Sequence, residues 1–174
     1  MSETMNAMLT RRSCRKYKSD MIPKAVLEEI VKAGTYAATG MGNQSPIIIA
    51  VTNKEMRDRL SAMNAAVMGS NADPFYGAPV VLIVLANKAV GTCVYDGSLV
   101  MGNLMLAAHD LGIGSCWIHR AKQEFESEEG KAILRDLGIE GEYEGIGHCI
   151  LGYPEEGGFR PVAPRKENYV YWIE

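Results

Sequence analysis

The chain has 174 residues, 47% of them hydrophobic and 22% charged, a make-up that fits one globular domain with a real core and excludes a disordered chain. Its 18 Lys and Arg against 21 Asp and Glu leave a formal charge of −3, so the overall balance offers no footing for nucleic acid or an anionic membrane as partner. The longest apolar run, 78–86, contains Pro79 and falls far short of the roughly 20 residues of a membrane span; residues 1–9 lack the basic and apolar regions of a secretory leader, so a cytoplasmic protein is expected.

In chain order, residues 2–10 read as a short helix with Ser2 as its N-cap and Met5, Met8 and Leu9 on one side. A basic stretch follows, Arg11-Arg12-Ser13-Cys14-Arg15-Lys16-Tyr17. Asp20 and Pro23 then open a helix to about residue 39, where Val26, Leu27, Ile30, Val31, Ala37 and Ala38 keep helical spacing, and Thr39-Gly40-Met41-Gly42 breaks it. The loop 40–46 leads into a β-branched run at 47–52, which predicts a central strand covered on both faces. Asn53 caps a helix over 54–68. Residues 69–77 hold turn formers around Phe75 and Tyr76, and read either as a lid near the site or as a plain connector.

Residues 80–85 predict a second buried strand. The stretch 91–111 predicts a long helix in which Gly102 and Ala107 permit close approach by another helix. A turn and strand over 112–118, a helix from Ser127 or Glu124 to about Leu137, and a strand over 145–152 complete the alternation. The last segment, 159–174, contains Pro161 and Pro164 and ends in Tyr169-Val170-Tyr171-Trp172-Ile173. Such an aromatic run makes a sticky patch if left in water, so it reads as an arm packed on a partner subunit. No repeat or linker divides residues 1–174, which are expected to form a single domain.

The basic stretch carries the clearest chemistry. In an extended conformation Arg11, Ser13 and Arg15 share one face and Arg12, Cys14 and Lys16 the other. Guanidinium groups bind phosphate through paired, charge-assisted hydrogen bonds, and a hydroxyl between them adds a neutral donor. Taken alone, the stretch also fits a solvated basic run. Cys14, Cys93, Cys116 and Cys149 are widely spaced with no Cys-x-x-Cys pair, which argues against a zinc or iron–sulfur site. Neither Gly40-x-Gly42 nor Gly112-x-Gly114 has the third glycine of a dinucleotide fingerprint, so a resident dinucleotide fold is not expected.

The basic stretch resembles the N-terminal signature of the FMN-dependent nitroreductase family. The resemblance continues through the Gly-x-Gly-Asn-Gln-Ser-Pro stretch at 40–46, Phe-Tyr-Gly-Ala-Pro-Val-Val at 75–81, Leu-Gly-Ile-Gly-Ser-Cys-Trp-Ile at 111–118 and Pro-Arg-Lys at 164–166. It implies a three-layer α+β fold, with a central mixed β-sheet flanked by helices and the C-terminal arm exchanged in a homodimer. It also implies an FMN site at the subunit interface. Arg11, Arg12, Ser13 and Arg15 would form its first side: Arg11 on the phosphate, Ser13 on the ribityl chain and ring edge, Arg15 at the N1–C2 carbonyl end, where a cation stabilises the charge that reduction brings. One or more of Asn43, Gln44 and Ser45 would reach the pyrimidine edge from the partner. Trp117, Ile118 and His119 would pass the reactive face with a backbone amide, that of His119, at flavin N5. Arg165 and Lys166 would close on the phosphate; without the resemblance they read as a surface pair.

The implied reaction is ping-pong transfer of hydride from NAD(P)H to FMN and of two electrons from FMN to a nitroaromatic, quinone or similar planar oxidant. The alternatives are a specialised flavoprotein of the same fold, such as a dehalogenase or a reductase with another electron donor, and a flavin-binding protein that senses or stores.

Overall fold

The computed structural model describes all residues, 1–174. The elements in order are α1 (Glu3–Thr10), α2 (Lys24–Thr35), a short 3₁₀ turn (Gly40–Gly42), β1 (Pro46–Val51), α3 (Lys54–Met68), β2 (Val80–Asn87), α4 (Cys93–Asp110), β3 (Gly114–Ile118), α5 (Ala121–Glu126), α6 (Glu128–Asp136) and β4 (Tyr143–Gly152). The strands form one sheet of order β1-β2-β4-β3.

Every residue from Val80 to Ala86 is buried, and the pleat explains why the run is apolar without alternation. Val81, Ile83 and Leu85 point to a core shared with Leu60, Phe75, Phe125 and Ile133, under α3, α5 and α6. Val80, Leu82, Val84 and Ala86 point to a second core with Leu27, Ile30, Met101 and Leu104, under α2 and α4. Helices thus cover both faces, and the three-layer α+β expectation holds.

Several expectations are corrected. The sheet is not mixed: all three strand pairs are antiparallel, and the parallel contact is a single bridge between Ser13 and Ser115. The strand at 46–51 is an edge strand, half-buried with Ala50 exposed, not a central one. A β-branched run identifies a strand but carries no information on its rank in the sheet. Helix α2 stops at Thr35, four residues early, where the Tyr36 and Ala37 amides tighten onto Ala33 and Gly34. Within one chain Gly102 is not the close-contact position in α4. Gly97 is, since a Cβ there would lie 2.4 Å from the Ile146 side chain, while Gly102 faces open space. The helix expected from Ser127 or Glu124 starts at Ser127, and a separate short helix, α5, precedes it. Ser127 ends α5 and caps α6, its hydroxyl accepting from the Gly130 amide at 3.0 Å.

The 69–77 segment is tied down. The Asp73 carboxylate accepts hydrogen bonds from Arg57 Nη2 and Ser61 Oγ, both at 2.6 Å, and from the Gly77 and Phe75 amides at 2.7 and 2.9 Å. Burial opposes the charge, but these donors prevail and hold the Asp73 carboxyl below its usual range. With Phe75 fully buried, the segment serves as a connector. Residues 160–174 have no regular structure, and Tyr171, Trp172 and Ile173 lie open at 83%, 82% and 101%. Of the four free thiols, Cys14, Cys116 and Cys149 are buried and Cys93 is half-buried. Burial pushes the Cys14 and Cys149 thiols up.

Candidate active site

Helix α1 ends on Arg11, whose amide still donates to the Ala7 carbonyl at 2.9 Å. From there the chain runs as a strap along β3. The Cys14 amide donates to Ser115 O, Arg15 to Gly158 O and Lys18 to Tyr153 O, at 2.8, 2.8 and 2.9 Å. Cys14 and Tyr17 turn inward, and the Tyr17 hydroxyl donates to the Cys14 carbonyl at 2.7 Å. Burial drives the Tyr17 phenol upward, so it stays a neutral anchor.

With the strap fixed, its polar side chains open onto a cavity of about 490 Å³ lined by Arg11, Arg12, Ser13 and Arg15 and by Arg160 to Ala163 and Arg165 of the returning C-terminal segment. The simple alternation fails at one place. Arg12 joins the cavity because this is where a helix ends rather than mid-strand, and its Nη1 bends back to the Leu9 and Arg11 carbonyls at 2.8 and 2.7 Å. Arg160 was not among the residues expected from sequence. It sits between Phe159 and Pro161 with no motif to mark it, and is found only because the chain folds back over the strap.

Five guanidinium groups therefore line one cavity that no carboxylate enters, and none of the five forms an ion pair. Two unit charges about 6 Å apart repel by roughly 3 kcal/mol at an effective dielectric of 20. Arg11 Nη1 and Arg12 Nε are moreover buried with no acceptor in the chain. A buried donor left unpaired costs about 1–3 kcal/mol. The repulsion is relieved by a multiply charged anion with several acceptor oxygens, and a phosphate ester is such a group.

The other expected residues lie outside this cavity. Ser45 is buried, and its hydroxyl donates to Asp96 Oδ2 at 2.7 Å; Gly40 N donates to Asp96 Oδ1 at 2.9 Å and Thr92 Oγ1 to Oδ2 at 3.1 Å. Burial raises the Asp96 carboxyl, but the Gly40, Ser45 and Thr92 donors outweigh it and hold it below the usual range. Ser45 thus fastens the loop, and the exposed Asn43 and Gln44 are what the loop presents, with Met41 and Gln44 held at φ 51° and 48°. Lys166 places its ammonium 5.3 Å from the Tyr169 ring centroid, away from the cavity, while Arg165 lines it.

At the far end of β3, Trp117 is half-buried and the Ile118 side chain belongs to the core, which leaves Ile118 only its backbone for a ligand. His119 is exposed. Its carbonyl accepts from Asn64 Nδ2 at 2.8 Å, while its amide has no acceptor in the chain. The arginine cavity beside Ser115 and this free amide thus occupy the two ends of one strand, roughly 13 Å apart along it.

The family model described as "Nitroreductase family" matches residues 8–74 and 65–153, nearly the whole of the strap, sheet and helices. The chain belongs to the nitroreductase family. An Archaeoglobus fulgidus protein named "Putative NADH dehydrogenase/NAD(P)H nitroreductase" is 32% identical over 160 residues, 90% of this chain and 88% of that one. A Methanothermobacter thermautotrophicus protein of the same name is 29% identical over 124 residues, 66% of this chain but 60% of that protein. A nitroreductase from Bacteroides fragilis, crystallised with bound FMN, superposes with a TM-score of 0.90 at 28% identity, and one from Desulfitobacterium hafniense, also with bound FMN, with 0.88 at 25%; both alignments cover 100% of each chain. Nitroreductases of this fold therefore share the full length of the chain, strap and returning segment included.

Proposed function

We propose that this protein is an FMN-dependent oxidoreductase that works as a homodimer, reducing a nitroaromatic, quinone or similar planar acceptor at the expense of NAD(P)H. The reading is carried by the arginine cavity, which gathers five cations and no acid, a fit for the FMN phosphate. Family membership and the FMN held by the two similar structures support the same assignment. Bound FMN supplies two-electron hydride chemistry at ring N5. Arg11, Arg12, Arg160 and Arg165 hold the phosphate and Ser13 the ribityl chain. Arg15 stands by the ring edge, where negative charge collects. The His119 amide, free of any acceptor in the chain, is the donor directed to the ring.

The dimer is favoured by apolar surface that one chain leaves in water: the tail at Tyr171 to Ile173, Val94, Tyr95 and Leu99 on α4, and Met41 at 96% exposure. A second copy that covers this surface also brings the Asn43 and Gln44 loop to its partner's flavin. The names of the similar proteins support NAD(P)H as donor. Absorbance spectra of the purified protein, before and after anaerobic NADH or NADPH, test the reading. A yellow protein bleached by one of the two and recoloured by a quinone is the expected result. A chain that stays colourless in excess FMN refutes the site, and one that holds FMN without bleaching refutes the reaction. Truncation after Arg165 should weaken association; a truncated dimer as tight as the full chain would remove the tail from the interface.

A further inference from the structure

Behind the His119 turn lies a cluster that neither the core nor the arginine cavity requires. Asn64 of α3, Glu124 of α5 and His148 of β4 are 0%, 1% and 0% exposed. Placing such groups in a core costs several kcal/mol unless each finds partners. Asn64 Nδ2 donates to the His119 carbonyl at 2.8 Å and to Glu124 Oε1, and Asn64 Oδ1 accepts from Arg120 Nε at 2.9 Å. His148 Nε2 lies 3.2 Å from Glu124 Oε2 without forming an aligned hydrogen bond, and His148 Nδ1 has no partner. Phe75 packs against the His148 ring at 5.2 Å between centroids.

All of these bonds converge on one turn. Ile118 is held in register with His148, the His119 carbonyl by Asn64, and the Arg120 carbonyl by the Glu124 amide at 3.1 Å. Arg120 is kept at φ 82°, a left-handed conformation that costs a non-glycine residue about 1 kcal/mol or more and persists only where its surroundings enforce it. Gly145 permits the enforcement, since a Cβ there would lie 2.2 Å from the Ala121 backbone. After this fixing, the His119 and Arg120 amides are the backbone groups of the turn with no acceptor.

We infer that Asn64, backed by Glu124 and His148, is a positioning residue that aims the free His119 amide at the flavin ring and thereby sets how readily the bound flavin is reduced. The inference rests on the FMN reading above. Oxidised N5 accepts a hydrogen bond and reduced N5 carries a hydrogen, so a fixed N–H donor favours the oxidised form. Loosening the turn weakens that preference.

The test is the equilibrium of the FMN-loaded, full-length protein with a redox dye of known potential, alongside FMN content and thermal melting. Asn64→Leu should move the balance about tenfold toward reduced flavin, equivalent to ~30 mV for a two-electron couple. Glu124→Gln should move it about threefold the same way, and it decides the matter if Asn64→Leu does not fold. Leu60→Ala, a buried core change in the same helix, should lower the melting temperature and leave the balance unmoved. Loaded Asn64 and Glu124 variants with the wild-type balance, or a Leu60→Ala shift as large as theirs, would overturn the positioning role alone. Wild-type protein that takes up no FMN would overturn this role and the FMN reading together.

Discussion

Two polar clusters flank β3, and they differ in where their partners are. The arginine cavity beside Ser115 gathers five cations with no acid among them and leaves two buried guanidinium nitrogens unsatisfied. The Asn64, Glu124 and His148 cluster beside Ile118 makes its hydrogen bonds inside the chain, joining Asn64 to the His119 carbonyl, Glu124 and Arg120, although Glu124 Oε2 and both His148 ring nitrogens make none. A cluster of like charge is built for something that arrives, and one whose polar groups bond each other and the backbone is built to keep a shape. Removing side chains should therefore stabilise the free protein in the first case and destabilise it in the second.

The largest effect is expected for the double change Arg11→Ala and Arg12→Ala. Hydrogen bonds to charged groups are worth about 1.5–3 kcal/mol each, so FMN affinity in a fluorescence titration should fall by about 4 kcal/mol, roughly a thousandfold. The ligand-free melting temperature should hold or rise as repulsion is relieved. Glu124→Ala should do the reverse, costing about 3 kcal/mol of stability in urea unfolding of the ligand-free chain, because its buried partners lose their acceptor. Inorganic phosphate sharpens the contrast: at a hundred times its dissociation constant it should add about 2.7 kcal/mol to the wild type and nothing to the double arginine variant.

The smallest expected effect concerns Asp96, which fastens the Asn43 loop with neutral donors only. Its folded carboxyl is depressed, so the stability it contributes is present above the unfolded value near 3.8 and is lost as pH falls through the folded one. Ser45→Ala should cost about 1 kcal/mol at pH 7. The cost should shrink below about pH 4 in acid titrations followed by circular dichroism. Asp73 titrates with the same sign, but it is paired with Arg57, so its loop has a cation in reserve that the Asp96 loop lacks.

Much of this was legible in the sequence. Period and capping marked α1, α3, α4, α6 and every strand, because Ser2, Asn53 and Ser127 announce helix starts and the Val80 run leaves no alternative to a buried strand. Arg11, Arg12, Ser13 and Arg15 were visible because they are adjacent. Arg160 was not, since only the return of the chain over the strap brings it to them. Asn64, Glu124 and His148 are separated by 60 and then 24 positions, and each alone looks like an ordinary helix or strand residue. Their role exists only once three elements meet. The rank of β1 at the sheet edge and the early stop of α2 were missed for a related reason: local pattern states what an element is, and tertiary contact states where it sits and ends.

The thiols offer a practical handle. Three of the four are enclosed, and burial keeps Cys14 and Cys149 protonated, so a maleimide dye should react with Cys93 alone. That residue opens α4 three positions before Asp96, the group that fastens the Asn43 loop. A fluorophore attached there would report arrival of a second chain at that loop without any engineered cysteine, turning a side effect of core packing into a ready-made optical reporter.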